Sequence, residues 1–158
     1  MTLLPFFQWC EASLLGQTIR DSQWLFPVIE SIHLIALASI GGAVLVLDLR
    51  MLGIGMRRRP VAEVAREAQP WLIASLVVMV VTGVSLFLSE AIKCYYSQAF
   101  WVKMTALPLA AFFALTVRRR VAAAEDGRFS PVVRGAVAVI SLLLWFTVGA
   151  AGRWIGFS

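Results

Sequence analysis

Four apolar runs, at 24–47, 71–89, 100–117 and 132–152, leave this chain few ways to fold. Each is close to the ~20 residues that a helix needs to cross a ~30 Å hydrocarbon layer. A helix in that layer satisfies its own backbone N–H and C=O groups, which lipid cannot do. With 60% of its 158 residues hydrophobic and 15% charged, a water-soluble domain of this length has no interior large enough to hide its apolar surface. The sequence predicts an all-α membrane protein: one four-transmembrane-helix bundle, with spans near 24–50, 70–90, 100–118 and 132–154.

The net charge of +5 is unevenly placed. Ten of the fourteen basic residues fall in two loops: Arg50, Arg57, Arg58, Arg59 and Arg66 in the first, and Arg118, Arg119, Arg120, Arg128 and Arg134 in the third. The positive-inside rule puts both loops in the cytoplasm, giving an N-out/C-out topology in the bacterial inner (cytoplasmic) membrane. Membrane lipid is the partner such arginines imply. Nothing around them resembles a nucleic-acid reader, so no nucleic acid is expected.

The first residues lack a basic n-region and an A-x-A cleavage site, so they do not read as a cleaved signal. Residues 6–19 predict one amphipathic interfacial helix, with Phe6, Phe7, Cys10 and Leu14 toward lipid and Gln8, Glu11 and Gln17 toward water. Asp21 or Ser22 is placed to cap the first span. The polar segment VAEVAREAQ reads as a turn or two of helix along the cytoplasmic face before Pro70 and Trp71 open the second span. Pro108 is a candidate kink in the third. Cys10 and Cys94 fall on the outer side in this topology, an oxidising compartment where a disulfide can join them.

The first span carries the unusual residues. At about 100° per residue, Phe26, Glu30, His33, Leu37, Gly41, Val44 and Asp48 form one stripe, so the single histidine of the chain shares a face with two carboxylates. Ionisable groups at membrane depth are costly and face a bundle interior or a wet cavity. His33 lies about 14 Å along the helix from Trp24 at ~1.5 Å per residue. Glu30, His33, Glu90, Lys103 and Arg153 all fall in the outer half, and Asp48 alone falls at the other end.

Two readings of that layer stand side by side. In one it is a structural ion-pair network, with Lys103 and Arg153 reaching toward headgroups and Glu90 as a solvated cap. In the other His33 is an axial haem ligand, a metal ligand or a proton carrier. With one histidine per chain, bis-histidine haem needs a partner protein or a dimer, whereas five-coordinate haem, or His33 paired with Met104, Lys103 or water, does not. A zinc or copper cage needs Asp48, Met79 or Met104 to join Glu30 and His33. In the haem reading Lys103 and Arg153 face carboxylates, and Trp101, Trp145 and Trp154 wall a flat ring. Thr82 and Gly83, near mid-membrane, read as a close helix contact.

The strings IRDSQWLFPVIESIHLIAL, VVTGVSLFLSEAIKCYY, FWVKM and LLWFTVGAAGRWIGF resemble a family of bacterial four-helix inner-membrane proteins with no assigned function. The likeness covers almost the whole chain and implies the same architecture. A looser layout is similar to HemJ-type protoporphyrinogen oxidases: a helix-one histidine, the helix-two segment at Thr82, Gly83, Leu86 and Phe87, and a lysine opening helix three. It also resembles the membrane part of CopD-like copper proteins. The HemJ resemblance implies haem b and functional roles at His33 and Lys103. The chain departs from that family in lacking a histidine soon after the lysine and in ending its fourth helix with GRW.

The functional expectation is membrane redox chemistry with haem b at His33, and with Glu30, Lys103, Arg153 and Trp145 around it. As an enzyme the chain would be a membrane oxidoreductase. The alternatives are a non-catalytic anchor or electron-transfer subunit, bound to a membrane or periplasmic protein or to further copies of itself, and a copper- or proton-transport protein.

Overall fold

The computed structural model describes residues 3–124 and 127–156. Glu125 and Asp126, in the expected third loop, lie outside the described residues. The described chain is helical: α1 (Leu4–Glu11), α2 (Leu14–Asp21), α3 (Leu25–Met51), α4 (Val61–Ser89), α5 (Ala91–Tyr96), α6 (Gln98–Phe113), a π-helical turn (Ala114–Arg118), α7 (Arg119–Ala122) and α8 (Pro131–Ile155). Four helical segments are long and apolar enough to cross a membrane: α3, α4, α6 continued through α7, and α8.

Helix α3 packs most closely on α4, α6 on α8, and the α3–α8 contact joins the two pairs. The core between them is Ile40, Val44, Leu72, Met79, Ala106, Ala110, Trp145 and Val148. Large apolar side chains such as Ile35, Val81, Phe112 and Phe146 stay exposed on the outside of the bundle. A water-soluble protein would bury such a surface, whereas lipid covers it without cost. The chain is therefore a multi-pass membrane protein.

Several elements differ from expectation. The polar VAEVAREAQ segment is continuous with the second span, which runs unbroken from Val61 through Pro70. Glu63 and Glu67 on its first turns both pair with Arg59, so this polar stretch is satisfied as helix. Helix α3 ends in a Schellman turn: Gly53, at φ +75°, donates its N–H to the Arg50 carbonyl and Ile54 donates to that of Leu49.

The expected single interfacial helix is two, broken at Ala12 and Ser13. The Ser13 hydroxyl accepts from the Gly16 N–H and starts α2 afresh. Phe7 and Cys10 do not face lipid. They are buried with Ala91, Cys94 and Phe100, and the Phe7 ring meets Phe87 and Tyr95 at centroid distances of 5.4 and 5.2 Å. Glu11 fastens this pair of helices to the bundle, accepting from Arg20 at 2.9 Å and from the Ile92 N–H at 2.6 Å.

Cys10 and Cys94 are buried in that cluster as free thiols. Burial pushes the Cys94 thiol from its ordinary 9.0 up to about 11, and the Glu90 carboxylate adds to the shift. The unfolded chain ionises this thiol first, so the folded state loses stability as pH climbs from about 9 through about 11. Wild-type melting temperature should fall across that window relative to Cys94→Ser, and at neutral pH maleimide should label Cys94 slowly until the protein is unfolded. Equal pH profiles for the two proteins would contradict the assignment.

Candidate functional site: a histidine–threonine–lysine centre

Four helices contribute to one polar centre near the end of the bundle where α3 begins. His33 of α3 is buried, and its Nδ1 lies 2.8 Å from the Thr82 Oγ1 of α4. Lys103 of α6 brings its Nζ to 3.5 Å from His33 Nε2. Gly152 of α8 makes room for that lysine, since a Cβ there would sit 3.3 Å from Nζ. Gly83 does the same for the imidazole, with a Cβ there falling 3.3 Å from Cε1.

The hydrogen bonds favour one imidazole tautomer. The Thr82 hydroxyl has one proton and gives it to the Val78 carbonyl at 2.7 Å. Its oxygen can then only accept from His33, so Nδ1 carries the ring proton. Nε2 is left with its lone pair directed toward the Lys103 amine, which donates into it. An acceptor that holds the far nitrogen of a histidine in this way orients the near one as a ligand or base.

Of the residues expected here, the structure unites His33 and Lys103. Glu30 is exposed. The buried face of α3 runs through His33, Ala36, Ile40, Ala43, Val44, Leu47 and Asp48, and the stripe drifts off that line before it reaches Glu30. Arg153 is exposed in the last turn of α8, with its guanidinium beside Gly156. Trp145 is buried in the apolar core, and its indole Nε1 has no hydrogen-bond partner in the structure. Glu90 follows the last turn of α4 and faces Lys93 at 3.9 Å. Among the described residues no three His, Cys, Asp or Glu side chains converge as a metal cage.

Thr82 and Gly83 are more than a packing contact, and their helical register was the available signal. A hydroxyl beside a glycine at the depth of a histidine on the neighbouring helix is a histidine seat. Arg118 was assigned to the third loop. It is instead buried in the π-helical turn, where its Nη1 donates to Asp48 Oδ1 at 3.3 Å. A run of three arginines carries no sign of which one turns inward.

A polytopic helical bundle with a buried histidine–lysine centre is thus the class of protein that fold and site define. Residues 6–158 match the model of the DUF6644 family, described as a family of unknown function, and the chain belongs to that family. No curated protein and no solved structure matches it.

Proposed function

We propose that this chain is a redox protein of the bacterial cytoplasmic membrane that holds haem b at His33, in the outer half of an N-out/C-out bundle. The observation that carries the reading is the 2.8 Å contact of Nδ1 with the Thr82 hydroxyl, which turns Nε2 toward Lys103; the hydroxyl's bond to the Val78 carbonyl assigns the ring proton to Nδ1. An axial histidine needs that arrangement. Two further features fit. Gly83 and Gly152 let the imidazole and the Lys103 amine seat closely against α4 and α8, and the unpartnered Trp145 indole N–H offers a donor to a group with an acceptor.

Lys103 faces Nε2 and would have to turn from it for His33 to hold haem b. Its amine, with the Arg153 guanidinium at the bundle end, then serves as a partner for carboxylates. Haem b supplies one-electron transfer when bound. The protein's part is to orient the imidazole through Thr82, to place basic groups at the outer boundary and to back the centre with an apolar core. The HemJ-like placement of His33, Thr82, Gly83 and Lys103 is of a piece with this reading.

The test is an absorption spectrum of protein purified in mild detergent from haem-supplied cells, oxidised and reduced. The wild type should show a Soret band that moves on reduction, and His33→Ala should lose at least about tenfold of it. Thr82→Val should keep the band but shift the midpoint potential. A folded, colourless wild type would sink the proposal.

A further inference from the structure

A second buried polar group lies at the arginine-rich end of the bundle, away from His33. Asp48 of α3, Arg118 of the π-helical turn and Ser141 of α8 are 0%, 1% and 0% exposed. The pair is joined by a single long contact, Arg118 Nη1 to Asp48 Oδ1 at 3.3 Å. Arg–carboxylate pairs are commonly bidentate, but here the other half is unmade. Asp48 Oδ2 and Arg118 Nε are both buried without a partner. The Ser141 hydroxyl lies close enough to act on the Asp48 carboxylate, yet it too completes no hydrogen bond.

The cluster therefore has an unused acceptor, an unused donor and a hydroxyl that can be either. Three buried groups left this way are costly, the charged ones most of all. What satisfies them must donate and accept together. It must also be neutral, because the carboxylate and the guanidinium already balance, and small, because Leu47, Met51, Val137 and Ala138 pack this end of the core. A water molecule meets all three conditions, and buried waters typically make about three such bonds.

We propose that Asp48, Arg118 and Ser141 enclose an ordered internal water that completes the ion pair. The π-helical turn is what makes the site, since such turns widen a helix locally and often occur where a side chain must be re-aimed. The turn ends at Arg118 and sets its guanidinium inside the bundle while Arg119 and Arg120 remain exposed.

Infrared spectroscopy of the full chain in lipid tests this. Wild type should show a sharp O–H stretch that moves down on exchange into heavy-oxygen water, and Ser141→Ala should shift or abolish that band while the Asp48 carboxylate signal persists. A high-resolution structure should place density within hydrogen-bond distance of at least two of the three orphaned atoms. The water is refuted if no isotope-sensitive band distinguishes wild type from Ser141→Ala. It is equally refuted if well-ordered side chains close directly on one another with no density between them.

Discussion

Breaking the buried ion pair should cost more than any other single change in this bundle. Asp48→Ala and Arg118→Ala each leave an uncompensated charge at a site closed to bulk solvent, a defect worth about 3–5 kcal/mol. The double variant Asp48→Leu/Arg118→Met removes both charges and fills the space with apolar atoms. It should recover most of the loss, because an ion pair of this kind is held by mutual need more than by net stabilisation. Melting in detergent across the four proteins gives the coupling directly. If the double variant is as unstable as the sum of the two single ones, Asp48 and Arg118 do not depend on each other.

Gly16→Ala should be nearly as damaging by another route. A Cβ at Gly16 would fall 2.3 Å from the Leu88 carbonyl oxygen and 3.0 Å from its carbon. Both atoms belong to the backbone at the end of α4, so neither can turn aside, and α2 has to lift. Overpacking of this kind costs about 1–3 kcal/mol and sometimes more, and here it should also loosen the Phe7–Cys10 seat. The measurement is melting temperature together with maleimide labelling of Cys10, which should become fast in the variant. Gly42→Ala is the control, because nothing lies within 4 Å of its Cβ position. Matching behaviour of the two variants would show that α2 does not rest on Leu88.

The four spans were readable because length and hydropathy over about 20 residues are properties of the chain itself. The choice of which polar residues meet depends on small angular differences between helices. A stripe drawn at 100° per residue reached Asp48 and His33 correctly and overshot to Glu30, since the buried face follows the partners of α3 and not an ideal wheel. Lys103 was legible from its position just inside a span. Thr82 was legible as a helix contact but not as the partner of His33, because that role lies in a hydrogen bond to a residue 49 positions away. Arg118 was hidden for a different reason: the π-helical turn that re-aims it has no composition of its own.

The separation of the two polar groups has an electrical consequence. His33 and Asp48 are fifteen residues apart on one helix, or roughly 22 Å at ~1.5 Å per residue. Ile40, Val44, Leu72, Met79 and Val148 fill most of the interval, with the Ser75 hydroxyl and the Trp145 indole as polar groups among them. A membrane voltage falls where the material is least polarisable, so most of it drops across this layer, where a full crossing is worth about 2.3 kcal/mol per charge for each 100 mV. His33 and Asp48 therefore lie on opposite sides of this layer, and a charge moved from one to the other would cross most of that voltage.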